Sequence, residues 1–208
     1  MEQKEFIVTS RGEGMPEALA ATEKLGAARG LGRKENLRLR LLAEELFGMV
    51  RGIVGDVEAR YTVGQEGESF VLRLAFEPEL TRETRRQLIA VSTQGGNAAA
   101  KGFMGKLRDM IAAALLPGGS GPLPVSLSMG LMGVAGNSGP AAQQASAEAF
   151  NWSMKQHKDT IGARLSESEE AREAWDELEK SIVASIADDV VVRVAGQNAE
   201  VAIFKAFR

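Results

Sequence analysis

The chain has 208 residues, a formal net charge of −3 at neutral pH and an apolar share of 44%. That length fits one domain with an elaboration and a sizeable core, and the slightly negative charge excludes a global basic field for nucleic acid or an anionic membrane. Cysteine is absent, which excludes disulfides, thiolate metal sites and cysteine nucleophiles.

The opening MEQKEFIVTS lacks the basic-then-apolar pattern of a signal peptide. The most apolar stretch, Leu123 to Gly136, is too short for a bilayer and rich in glycine. The expectation is a soluble cytoplasmic chain with neither membrane nor nucleic acid as partner.

Taken in order, Glu5 to Ser10 predicts a short strand. Met15 to Arg29 has helical spacing, broken by Gly30 and Gly32 around Leu31. From Leu37 to near Gly55 runs a long amphipathic helix. Leu42, Leu46, Met49 and Ile53 recur at steps of three and four and form one stripe. Leu41, Glu45 and Gly48 form the adjoining row. Glu45 therefore sits at the edge of the buried face. Burying a carboxylate without a partner is costly, so Glu45 either reaches solvent along the helix edge or lines a pocket. Glu44 beside it reads as a surface residue.

Two strands follow, Glu58 to Val63 and Ser69 to Phe76, with a hairpin turn over Gly64 to Gly67. Pro78 ends the second. Thr81 is placed to cap a helix through Leu88, Ile89 and Val91. Ser92 to Gly105, STQGGNAAAKGFMG, then leads into a helix over Lys106 to Leu116. No charged residue occurs between Asp109 and Glu148, and such methionine-bearing stretches pack against a core, a partner or a lipid-like surface.

Ser146 to Lys158 has helical spacing. Ser166 to Ala187 predicts a further helix, opened by Ser166-x-x-Glu169 as a capping box. Its stripe is Ala171, Trp175, Leu178, Ile182 and Ile186. Asp188 and Asp189 precede a strand over Val190 to Val194, and Gly196 to Asn198 turns into a last strand, Glu200 to Phe204. No internal repeat is seen. This order predicts an α+β fold, a two-layer sandwich of a mostly antiparallel mixed sheet covered on one face by helices. Residues 1–208 form one domain, with a glycine-rich, lid-like insertion at about 92–147.

The segment GLGRKENLRLRLLAEELFGM, residues 30–49, and the ending IADDVVVRVAGQNAEVAIFKAF, residues 186–207, resemble the histidine-kinase-like ATPase superfamily. Within it they look most like the anti-sigma-factor serine kinases. There a first helix passes through a "GL" turn into a helix of the form LxLAxEEaxxN. The last helix enters a D-E/D-V turn and a terminal hairpin. The resemblance covers residues 5–76 and 170–207.

It implies an ATP-binding regulatory protein, a serine kinase or ATPase, with Glu45 as the base that activates the attacking water or acceptor hydroxyl. The family places a magnesium-binding asparagine four residues on, where this chain has Met49. A thioether is a poor ligand for a hard cation, so magnesium is expected to be weak or absent. The adenine-contacting Asp-x-Gly-x-Gly box is not present in LAFEPELTRE, where Glu77 or Glu79 would have to take the acidic role.

Gly95, Gly96, Asn97, Lys101, Gly102, Gly105 and Lys106 form the candidate phosphate contact. Glycines admit close backbone approach and a helix start favours an anion. The spacing is not that of a P-loop. As the mobile lid of the kinase-like family, the glycines would serve as hinges. The competing reading is a solvated glycine-punctuated loop.

His157, flanked by Lys155, Gln156 and Lys158, reads as a surface residue, and Trp152 and Trp175 as core anchors. Asp188 and Asp189 fit either a metal or the hydrogen bonding usual at a helix-to-strand corner. The partners implied are a regulatory protein and a second copy of the chain. The rival to an ATP-binding protein is an inactive interaction module that keeps the fold, with the charge-poor 110–147 segment as its surface. A third reading puts another small molecule in the same pocket.

Overall fold

A computed structural model describes residues 4–52, 57–77, 102–115 and 149–207. The expected helix after Thr81 and the charge-poor run beyond Leu115 lie outside the described residues.

Six strands form one sheet in the order β1-β2-β3-β6-β5-β4. They are β1 (Lys4–Thr9), β2 (Glu58–Glu66), β3 (Ser69–Phe76), β4 (Ala149–Ser153), β5 (Asp189–Ala195) and β6 (Asn198–Ala206). All five pairings are antiparallel. The helices are α1 (Met15–Ala28), α2 (Arg33–Gly52), α3 (Phe103–Ala114), α4 (Met154–Gly162), α5 (Glu169–Glu179) and α6 (Ile182–Ile186). The α+β sandwich expected from the sequence is what the chain forms.

One face of each strand feeds the core. Val8, Ala59, Tyr61, Val63, Leu72, Leu74, Val201, Ile203, Val190, Val192 and Trp152 pack there with the helices in a single cluster. Period-two alternation puts these residues on one side. On the other side charged residues pair across strands, with Arg60 Nε 3.5 Å from Glu5, Arg73 Nη2 2.7 Å from Glu66 and Arg193 Nη1 3.5 Å from Glu200.

The topology repeats, although no repeat is seen in the sequence. Strand, helices, strand, strand is the order from β1 to β3 and again from β4 to β6. The two halves join where β3 meets β6, with Leu72 opposite Ile203 and Phe76 opposite Ala199. Reversing the sheet about that seam exchanges β1-β2-β3 with β4-β5-β6. Equivalent details recur. Gly67 and Gly196 open two-residue turns with φ 60° and 61°, flanked by the pairs Glu66–Ser69 and Ala195–Asn198. Glycine first with φ above zero is the type II′ hairpin, whose twist suits the strands. Ser10 Oγ accepts from Val57 N, just ahead of β2, and Ser153 Oγ donates to Asp189 at the start of β5.

Several boundaries differ from expectation. Gly64 and Gln65 belong to β2, opposite Val71 and Phe70, so the turn falls later, at Gly67 and Glu68. The expected helix over 146–158 is instead β4 followed by α4. Phe150 and Trp152 pair with Val194 and Val192, and Ser153 caps α4 by accepting from Gln156 N. The expected helix over 166–187 is two helices. Ser168, rather than Ser166, caps α5, and Ser181 caps α6. Ile182 consequently lies half exposed, and Val183 and Ala184 are buried in its place. Helix α3 starts at Phe103, so Gly105 and Lys106 lie inside it.

Candidate functional site

The "GL" turn has a physical explanation. Gly30 takes φ 81°. Its N–H bonds the Ala27 carbonyl at 3.1 Å, while Leu31 N bonds Gly26 O at 3.0 Å. These two bonds make a Schellman end to α1. Gly32 stands just before α2, with its N–H held by Glu35 Oε2 at 2.8 Å. The helices lie close at Gly26, where an added Cβ would stand 2.3 Å from Asn36 Oδ1.

Helix α2 has two flanks. Toward α1, Asn36 Nδ2 bonds Glu23 O at 3.0 Å and Arg40 Nη1 bonds Glu23 Oε1 at 2.9 Å. Arg40 Nε also bonds Glu44 Oε1 at 2.8 Å. Glu44 is thereby held on the α1 side. At 100° per residue, Glu45 falls on the opposite flank with Leu41 and Gly48. Helices α3 and α6 also pack against α2.

Glu45 is half-buried and, among the described residues, makes no hydrogen bond or ion pair. Its carboxyl is pushed above the usual range, first by burial and then by the charge of Glu44. Gly48, one turn on, is exposed, with open space where a Cβ would be. Met49 is 3% exposed and part of the core cluster. The position where the resembled family has its magnesium ligand is therefore a core position. Among the described residues no group of three or more acidic or histidine side chains is placed to hold a metal. Met49, a buried thioether, does not fit as the ligand of a magnesium ion.

The glycine-rich candidates are only partly placed. Gly95, Gly96, Asn97 and Lys101 lie outside the described residues. Gly102 has φ 107° and accepts from Lys106 N at the start of α3. Lys106 Nζ is held by the carboxylate of Glu177 on α5. No bond joins Lys106 to Glu45 among the described residues. Gly105 lies within the first turn of α3.

Other readings resolve plainly. Asp189 accepts from Ser153 Oγ, Lys155 N and Val190 N, and Asp188 accepts from Lys205 Nζ and Ala206 N. These are corner bonds that tie the start of β5 to α4 and β6. Trp152 is buried and Trp175 partly so, its Nε1 donating to Glu179 at 2.9 Å. His157 is the correction: it is buried, 3% exposed, although its sequence neighbours are polar. The missed signal was Ser153-x-x-Gln156, a capping box that starts the helix one residue after Ser153. It makes His157 the fourth helical residue, over Trp152.

No protein-family model, curated protein or solved structure matches the chain. Among the described residues no helix is long and apolar enough to cross a membrane.

Proposed function

We propose that the chain is an ATP-binding regulatory protein of the histidine-kinase-like class, acting in the cytoplasm as an anti-sigma-type serine kinase or ATPase. The observation that carries this reading is Glu45, a half-buried carboxylate on the flank of α2 turned from α1 that has no hydrogen-bond or ion-pair partner among the described residues. It stands in the helix whose sequence, with the GL turn before it, resembles that family. A carboxyl raised toward neutral pH is a better general base, since base strength rises with pKa. Glu45 would accept the proton of an attacking water or serine hydroxyl. Arg40 keeps the neighbouring Glu44 occupied elsewhere. Met49 holds a core position and offers only a thioether, so no step is assigned to magnesium.

ATP titrated into the full chain, read by thermal shift, tests the reading. Saturable stabilisation that changes little when magnesium is withheld is expected, growing as about 2.7 kcal/mol at a hundredfold excess over Kd. Glu45→Gln is expected to bind equally and lose turnover. Absence of any saturable shift overturns nucleotide binding, and full turnover by the variant removes Glu45 from the chemistry.

The second reading, an interaction module without catalysis, is favoured by Met49 in the core and by Lys106 engaged with Glu177. A chain that shows no nucleotide-dependent shift while retaining a protein partner or self-association supports it.

A further inference from the structure

Ser153 caps α4, so Trp152 stands just before the cap and His157 is the fourth helical residue. Two apolar side chains ordinarily close this staple. Here an imidazole lies against the indole, with ring centroids 5.5 Å apart and planes at 51°. Phe103, the first residue of α3, lies 5.9 Å from the Trp152 ring. Trp152 and His157 are 4% and 3% exposed.

Both rings bury a polar atom. Trp152 Nε1 and His157 Nδ1 have no hydrogen-bond partner among the described residues. Each loses its hydration on burial and gains nothing in return. A leucine or phenylalanine at 157 would close the staple without that loss, so packing does not explain the histidine. The two atoms are complementary. An indole N–H can only donate, and Nδ1 of a neutral imidazole accepts when Nε2 carries the proton. Burial keeps His157 neutral at neutral pH by lowering it to about 4.

We propose that Trp152 and His157 form a site for a single hydroxyl group, which accepts from the indole and donates to the imidazole. An anion has no hydrogen for Nδ1, and an ammonium has no lone pair for the indole. A hydroxyl oxygen does both. A buried water and the alcohol of a small molecule share this chemistry. The site does not depend on Glu45 or on nucleotide binding.

The test uses the full chain, nitrogen-15 labelled, at pH 7. The Trp152 indole proton is expected to show a cross-peak to a hydroxyl proton, and His157 to be the Nε2–H tautomer with Nδ1 shifted as a bonded acceptor. In His157→Phe the cross-peak is expected to be lost while the rest of the spectrum stays dispersed. Mass spectrometry of the denatured protein separates the two sources. A stoichiometric alcohol identifies a ligand, and its absence together with a cross-peak at the water frequency identifies water; either supports the site. An indole proton without any hydroxyl cross-peak overturns it. So does a scalar coupling that shows the indole bonded directly to the imidazole. Because the decisive readings come from the unmodified chain, they stand even if the variant does not fold.

Discussion

Tyr61 donates its phenolic hydrogen to Thr22, and the direction follows from Thr22 having one hydrogen to give. Thr22 Oγ1 donates to the Ala18 carbonyl at 2.8 Å, so the 2.8 Å contact with Tyr61 must run from the phenol. Both residues are fully buried, with Tyr61 joining β2 to α1 and Phe47 packed edge-on at 4.8 Å. Burial holds the phenol far above its ordinary pKa. Thr22→Val leaves that phenol without an acceptor, at an expected cost of about 1–3 kcal/mol. Tyr61→Phe leaves Thr22 still bonded to Ala18 and is expected to cost about 1 kcal/mol. Urea unfolding checks the order, and the double variant is expected to lose less than the two singles together.

Gly14 and Gly30 separate backbone conformation from space. Both have φ above zero, 72° and 81°. A Cβ at Gly14 would stand 1.9 Å from the Ile7 carbonyl oxygen, whereas one at Gly30 meets nothing within 4 Å. Gly30→Ala is therefore expected to cost only the left-handed conformation, about 1–2 kcal/mol. Gly14→Ala adds a collision with backbone that has no side chain to rotate away. Its expected cost is above about 3 kcal/mol, since strain and forced movement add. Chemical denaturation of the two variants side by side reads the difference. Equal costs would contradict the packing of α1 on β1.

What the sequence disclosed and what it hid divide by range. Helix α1, its glycine stop and the buried Leu42, Leu46 and Met49 of the α2 stripe rest on spacing and on bonds between near neighbours, and all were legible; Ile53 of that stripe lies outside the described residues. Strand β4 was not. Ala149–Ser153 takes its conformation from pairing with β5, where Trp152 meets Val192 far along the chain, and short apolar runs read equally as helix or strand. The break at Lys180 and Ser181 was hidden because the apolar spacing runs almost unbroken through it. His157 was misplaced because its neighbours in sequence are polar, whereas its neighbours in space are Trp152 and the core. Glu45 was placed correctly at the boundary of the buried face. Its isolation from Arg40 depends on Glu23 across the helix pair, which no local pattern shows.

Glu45 is expected to make the protein less stable as pH rises. Its carboxyl is raised in the folded state, so the fold prefers the protonated form. Below the ordinary carboxylate range the group carries no penalty. As pH climbs from that range to the raised value the penalty grows, and it stays in full above. Glu45→Gln is therefore expected to be more stable than the parent at pH 7 and equal to it in acid. Thermal unfolding from pH 3 to pH 8 measures this, independently of any ligand. A variant less stable than the parent at neutral pH would mean that the carboxylate holds something in place.

His157 gives the opposite slope. Its ordinary value is 6.5, and burial lowers it to about 4 in the fold. Above the ordinary value both folded and unfolded chains carry a neutral imidazole, and the contribution to stability is complete. Between the two values the unfolded chain binds a proton that the folded chain refuses, so stability falls with falling pH across that window. The whole loss is roughly 3–4 kcal/mol, at about 1.4 kcal/mol per pH unit. Carboxylates titrate in the same region, so the quantity to measure is the difference from His157→Phe, which keeps the ring against Trp152 and removes the titration. That difference is expected to be flat above neutral pH and to grow steadily toward pH 4, with the variant the more stable in acid. A difference independent of pH would show that His157 ionises as freely in the fold as in the unfolded chain, against its burial beside Trp152.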